Sequence, residues 1–417
     1  MTTTGQGQLA VKLAVVLTAL SACAVGREPA LMPAAVGLVR PGIEVLLTDS
    51  AGILTGRRVG LVTNQAGVAR SGVHDVDLLL SAGVRLVALF SPEHGFRGAA
   101  EPGEAIASTV DPATGLPIYS LYGRTVAPTD SMLDLVDVLL VDLPDVGARY
   151  YTYASTTIEV MRAAGRRKIP VVVLDRPNPI GGAIQGNILD LAHRSFVGAL
   201  AMPMRHGFTL GELARLAAIQ LEIPVRLSVV PVEGWRRSMP FGITGLPFIA
   251  PSPNLKDVEA LFHYPGTCLF EGTALSVGRG TDHPFHQIGA PWLEAERVIA
   301  ALDSLDHLGV LLKAVSFTPR SPGDAKHPDT TMPGIRLHLI DPDAYDPVRT
   351  AVALLVAIHR LYPGQIGWIT RHFDRLSGGP ELRDAIQAGR SAAEIGASWR
   401  EALNGFRSGT ESIRLYP

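Results

Sequence analysis

Asp137-Val138-Leu139-Leu140-Val141-Asp142-Leu143 is an apolar run too short for a helix and apolar at successive positions, the mark of a strand buried on both faces. Three further runs share that character: Arg58–Thr63 (RVGLVT), Arg85–Phe90 (RLVALF) and Pro170–Asp175 (PVVVLD). Helix-like segments lie between or beside them at Val73–Ala82, Thr129–Leu135 and Ala154–Ala164. A fourth, Thr209–Leu221, opens with Thr209 and Glu212 at capping-box spacing, and a strand at Val225–Val230 follows. This βαβ rhythm predicts an α/β fold: a Rossmann-like, doubly wound, mostly parallel sheet.

Outward from that sheet, the 417 residues leave room for a second domain, at roughly 100–200 residues each. Glu233–Asn254 is dense in Pro and Gly and marks the boundary. Beyond it the alternation loosens: helices at Trp292–Leu305, Val348–Leu361, Glu381–Ala388 and Ala392–Asn404, strands at Val310–Phe317 and Ile335–Ile340. The expected division is a Rossmann-like domain over 41–254 and a smaller α+β domain over 255–417, with a cleft between them. The net charge of -2 and the lack of any Lys/Arg-dense or aromatic–basic stripe argue against nucleic acid.

The N-terminus reads as an export segment. Lys12 precedes the apolar run Leu13–Leu20, far short of the roughly 20 residues a membrane span needs. It ends in Leu20-Ser21-Ala22-Cys23, which resembles the lipobox of bacterial lipoproteins. The expectation is a signal peptide over 1–22, a lipid on Cys23 that anchors the chain to a membrane on its extracytoplasmic side, and a tether over 23–40. Cys268 is the one other cysteine, so acylation of Cys23 leaves no disulfide. Its apolar setting predicts a buried, inert thiol.

Candidate site residues follow the strands, where ligands bind in open α/β sheets. The first strand runs into Asn64-Gln65, the second into Ser91-Pro92-Glu93-His94-Gly95-Phe96. Later strands deliver Asp142, Asp145, Arg149 and Tyr150, then Asp175, Arg176 and Asn178. Met204-Arg205-His206-Gly207-Phe208 precedes the capped helix, whose N-terminal N–H groups suit an anion; the alternative is that His206 only packs the loop. In the second domain, the Gly-rich run Phe270–Asp282 offers Glu271 and Arg279. Glu93 is the leading acid–base candidate, because a carboxyl beside an apolar residue such as Phe96 can have its pKa raised. A salt bridge to Arg97 is the structural alternative. No cofactor is expected: there is no GxGxxG, no Walker loop and no GxSxG elbow. His94, Asp142 and Asp145 lack the paired spacing of a metal site.

Taken in order, the runs SPEHGFRG, VDLPDVGARYYTY, LDRPNPIGG, SFVG, RHGFTLGELA, PSPN, FEGTALSVGRGTDHPF and FDRL resemble the NamZ family of exo-β-N-acetylmuramidases, once called DUF1343, over about residues 40–417. The resemblance implies an exo-glycosidase that releases N-acetylmuramic acid from non-reducing ends of peptidoglycan fragments. It puts the catalytic glutamate at Glu93 and further motif positions at His94, Arg149, Tyr150, Arg176, Asn178, His206, Glu271 and Arg279. Pro144 and Ala274 depart from the family pattern, which often has Gln and Asn there. The lactyl carboxylate of the expected sugar suits an arginine, with Arg149, Arg176, Arg205 and Arg279 as candidates. Glycoside hydrolysis usually needs a second carboxyl group, here Glu271, Asp142 or Asp175, unless the substrate's own acetamido group assists. The competing readings are a non-catalytic muropeptide-binding lipoprotein and a hydrolase of a different bond.

Overall fold

The computed structural model describes residues 38–417 apart from Ala99, Pro102, Ala105 and Ile106. The expected export segment, Cys23 and most of the tether lie outside the described residues. Twelve strands occur in chain order among the described residues: β1 Val59–Thr63, β2 Leu86–Ser91, β3 Thr109–Val110, β4 Pro117–Ser120, β5 Val138–Asp142, β6 Val171–Leu174, β7 Gln185–Ile188, β8 Pro203–Arg205, β9 Leu227–Val230, β10 Gln287–Gly289, β11 Val310–Phe317 and β12 Met332–Leu339. Seven form one sheet in the order β3-β4-β2-β1-β5-β6-β9, parallel except at the β3–β4 edge.

The central strands are buried on both faces, and their period of two sorts the side chains into two cores. Leu139 and Val141 of β5, with Val171 and Val173 of β6, join the larger core. Val138, Leu140, Val172 and Leu174 join the smaller one, closed by Ile43, Leu46 and Leu79. Each fully buried Val or Leu contributes roughly 1.5–3 kcal/mol. The chain leaves β1 toward β2 and β4 and returns to β5 on the other side of β1. That reversal is a topological switch point, where a crevice opens at the carboxyl ends of the strands.

The second, smaller domain carries the antiparallel sheet β10-β12-β11. Its helices Val258–Thr267 and Pro347–Leu361 pack on each other. It shares the larger core with the first: Leu261, Phe285, Ile335 and Leu354 belong to the same cluster as Val62 and Phe90. Residues 38–417 accordingly make one compact unit. The chain's last residues also cross back, with Tyr416 packed edge-on against Trp235 and its hydroxyl 2.5 Å from Asp175. The fold begins earlier than the tether expectation placed it, since Val39 is buried and Arg40 pairs with Glu233.

Besides the single turn Gly42–Val45, two helices fall where the sequence pattern marks none. Val258–Thr267 holds Pro265 and Gly266 in its last turn, which hides its period. Thr370–Ser377 is short, with Phe373 and Leu376 its buried hydrophobics. It is stopped by Gly378 at φ 82°, a left-handed cap that a side chain disfavours. The expected helix Trp292–Leu305 shrinks to Ala295–Ala300, because Asp303 starts a separate turn by accepting from the Leu305 N–H.

Candidate active site

A cleft of about 440 Å³ opens beside the end of β2 and is lined from both domains. After β2 the chain turns sharply: Gly95 N–H bonds Pro92 O at 3.0 Å, and His94 and Gly95 take φ of 70° and 76°. The turn directs Glu93 into the cleft with the residue only 7% exposed.

Both carboxylate oxygens of Glu93 have neutral donors. Gly103 N–H reaches Oε1 at 3.1 Å, and the Thr152 hydroxyl donates to Oε2 at 2.7 Å. Thr152 is the N-cap residue of helix Tyr153–Arg166, yet its side chain makes no bond to that helix. A capping threonine ordinarily contributes about 1 kcal/mol, and here the hydroxyl serves Glu93 instead. The backbone is braced as well: Tyr153 Oη lies 3.2 Å from Glu93 O and 3.0 Å from Pro251 O, and Asn64 Nδ2 donates to it at 2.9 Å. The salt bridge considered with Arg97 does not form, because Arg97 pairs with Asp111 at 3.1 Å. Phe96 turns to the smaller core, edge-on to His74, and is not the apolar cover of Glu93.

His94 also lines the cleft. Its Nδ1 meets the Ala100 carbonyl at 2.8 Å. A carbonyl only accepts, so Nδ1 carries the proton and Nε2 of the neutral ring is an acceptor. Tyr122 stands beside Glu93, its phenol pushed up by burial and by that carboxylate's charge.

The second domain contributes Glu271, on the turn Cys268–Gly272, and Arg279. They form a largely buried ion pair, Arg279 Nε to Glu271 Oε1 at 2.6 Å. Burial opposes ionisation of Glu271, but the Arg279 charge and hydrogen bond outweigh it and hold the carboxyl below its ordinary value. Cys268 donates to Glu271 Oε2 at 3.4 Å, and its thiol is pushed well up by burial first and that charge second. The thiol is buried, as expected. Helix Thr370–Ser377 lies against the turn because Gly272 has no side chain; a Cβ there would sit 2.5 Å from Phe373 Cα. It brings His372 and Arg375 to the cleft.

Family models match almost all of the folded chain: the N-terminal model of exo-β-N-acetylmuramidase NamZ over residues 59–259, and its C-terminal counterpart over 262–416. The chain belongs to the NamZ family. It is 43% identical over 381 residues to the peptidoglycan β-N-acetylmuramidase NamZ of Bacillus subtilis, covering 91% of each chain. Two crystal structures of DUF1343 family proteins from Bacteroides fragilis are similar in fold, with TM-scores of 0.84 and 0.75. Each is 33% identical, over 91% of this chain and 99% of the other.

Within this NamZ-family fold, the cleft gathers Glu93, His94, Tyr150, Glu271 and Arg279 of the expected residues. The hydroxyl of Tyr150 is bonded to Pro265 O, so the tyrosine presents its ring. The other expected contacts do not line the cleft, and each has internal partners. Asp142 and Arg176 form a buried bidentate pair, with Arg176 Nη1 also 2.9 Å from Val68 O. Asp175 occupies the helix N-terminus expected to hold a ligand anion: it accepts from Gly211 N–H at 2.8 Å and from Thr209 Oγ1 at 2.6 Å. Arg149 is buried and donates to the carbonyls of Asn187, Met202 and Leu376 at 2.8–3.0 Å. Burial pulls its guanidinium down to about 10. Arg205 reaches Gln185 Oε1 at 3.0 Å and the carbonyls of Tyr345 and Ile180. Asn178 bridges Phe208 O and Ile180 N–H, and His206 accepts from Phe208 N–H at 3.1 Å with its Nε2 3.1 Å from Asp145. Asn64 braces Tyr153, and Gln65 donates to Ala250 O at 2.8 Å. Pro144 and Ala274, the departures from the family pattern, line no part of the cleft.

Residue-type reasoning missed Thr152, Tyr122, Arg375 and Asp324, all in the cleft lining. Arg375 makes no ion pair among the described residues, although it stood inside the quoted FDRL motif. Asp324 keeps Oδ2 buried without a hydrogen-bond partner. Its loop, Pro322-Gly323-Asp324, carries no motif that marks it. Glu259, His263 and His286 bring ligand-type atoms within 4.8 Å of one another, but none of them lines the cleft.

Proposed function

We propose that this chain is an exo-acting glycoside hydrolase that releases N-acetylmuramic acid from the non-reducing ends of peptidoglycan fragments, with Glu93 as its general acid. The observation that carries the assignment of Glu93 is the hydrogen bond to that buried carboxyl from the Thr152 hydroxyl, which makes no cap bond to its own helix. Local rules of stability tend to be broken at functional sites.

In this reading Glu93 protonates the glycosidic oxygen as the bond to the leaving sugar breaks. His94 Nε2 accepts a hydroxyl proton of the bound sugar. Arg375, a cation without a carboxylate partner among the described residues, receives the lactyl carboxylate that distinguishes muramic acid. Glu271 anchors Arg279, since a carboxylate already bonded to a guanidinium and a thiol is a poor base. Asp324, a cleft carboxylate with no ion pair among the described residues, is the better candidate to activate the attacking water.

Purified protein incubated with a chromogenic N-acetylmuramic acid glycoside is expected to release the free sugar and the chromophore. Tight binding without release favours a muropeptide-binding protein instead, and release of acetate or peptide favours a hydrolase of another bond.

Leu20-Ser21-Ala22-Cys23 supports export and a lipid anchor on the extracytoplasmic side. Labelled palmitate incorporated by the wild type and lost in Cys23→Ser is the expected result; equal labelling rejects the anchor.

A further inference from the structure

A second cavity, about 810 Å³, lies between the Gly182–Gly186 segment and the helices Pro347–Leu361, Ala392–Ser398 and Arg400–Gly409. It shares no lining residue with the Glu93 cleft. Five arginines line it: Arg237, Arg349, Arg400, Arg407 and Arg414. Its one carboxylate, Asp346, is turned into its own helix, accepting from Val348 and Arg349 N–H at 3.1 and 3.0 Å.

Two of the arginines are neutralised locally, Arg237 by Glu212 and Arg349 by Asp306. The other three are not. Arg407 donates only to Ile184 O and Asn404 Oδ1. The side chains of Arg400 and Arg414 have no hydrogen-bond acceptor or carboxylate partner among the described residues. Three guanidinium groups thus line one hollow without a carboxylate partner among the described residues. Guanidinium forks match carboxylates bidentately. Trp399, half-buried in the same lining, adds an aromatic face. The volume lies within the roughly 300–1,000 Å³ typical of ligand sites.

We propose that this cavity is an accessory binding site for the carboxylates of the peptidoglycan polymer, separate from the cleft where the bond is cut. The ligand class rests on the peptidoglycan-directed activity proposed above. Peptidoglycan carries a carboxylate on each free lactyl group and several on each stem peptide. An exo-acting enzyme works at one chain end, so a second contact holds it on an insoluble substrate between cuts.

The test uses the full chain and insoluble peptidoglycan stripped of attached phosphate polymers. Co-sedimentation reads the accessory site, and turnover of the chromogenic muramic acid glycoside reads the cleft, so failure of one is distinct from failure of the other. The double variant Arg400→Ala/Arg414→Ala should bind peptidoglycan about tenfold more weakly, as loss of charge-assisted hydrogen bonds predicts. Arg400→Glu/Arg414→Glu should lose retention altogether. Both should keep chromogenic turnover within about twofold and the melting temperature of the wild type, because Arg400 is exposed, Arg414 is half-buried with no side-chain hydrogen bond among the described residues, and both lie outside the cleft. Equal retention by wild type and variants overturns the proposal. So does parallel loss of chromogenic turnover, or retention seen only on walls that keep their phosphate polymers.

Discussion

Two carboxylates face one cleft from different domains, and they are held in different ways. Glu93 rests on neutral donors, a threonine hydroxyl and a glycine N–H. Glu271 is clamped by the Arg279 guanidinium and touched by the Cys268 thiol. The first environment orients a carboxyl through neutral groups and engages it in no ion pair among the described residues. The second holds the charge fixed and uses it to aim an arginine. Both are glutamates within family motifs, so motif membership does not separate the roles. Partner chemistry does.

The largest expected effect is on turnover. Glu93→Gln should lower kcat/KM for a muramic acid disaccharide by about 10³-fold, within the range typical of a general acid, with little change in stability. Glu271→Gln should lose far less turnover, and Asp324→Asn more than Glu271→Gln. Steady-state kinetics on the three variants ranks them, and a deeper loss for Glu271→Gln reverses the assignment. On the stability side the order inverts. Arg279→Met leaves Glu271 buried and unpaired and should cost about 3–5 kcal/mol in denaturant unfolding; a cost no greater than that of Glu93→Gln breaks the contrast. Thr152→Val removes one hydrogen bond to an ionisable group, worth about 1.5–3 kcal/mol in the transition state, or roughly ten- to a hundred-fold in rate. In denaturant unfolding it should cost about 1–3 kcal/mol, the penalty for one buried acceptor left unsatisfied, and no more, because that hydroxyl caps no helix. The smallest effect is acid sensitivity. The folded Glu271 carboxyl titrates below its ordinary 4.5, so its stabilisation is complete above that value and drains as pH falls toward the lowered one. Glu271→Gln should flatten that part of the stability curve, and an unchanged acid limb argues against the pair.

The sheet was legible because its strands are buried on both faces and read as plain apolar runs; β5 and β6 lie within one residue of where their runs begin and end. The edge strands β3 and β4 were not, since neither is a long apolar run. Glu93 stood out through its strand-end position and the family motifs. Arg149, Arg176 and Arg205 looked like ligand contacts because an arginine after a strand suits an anion equally whether it is buried or open. Only the packing shows that their guanidinium groups are turned to partners inside the protein. Arg375 and Asp324 escaped for a different reason: the first stood in the FDRL motif on a helix the pattern did not mark, the second in a loop without a motif, and tertiary contact brings both to the cleft.

The central claim is that Glu93 donates the proton, and leaving-group dependence tests it most directly. Glu93→Gln should be crippled on the natural disaccharide, whose leaving oxygen needs protonation. It should be impaired by no more than about tenfold on an aryl glycoside whose phenolate departs unassisted. Equal, severe loss on both substrates contradicts the account and gives Glu93 a different role.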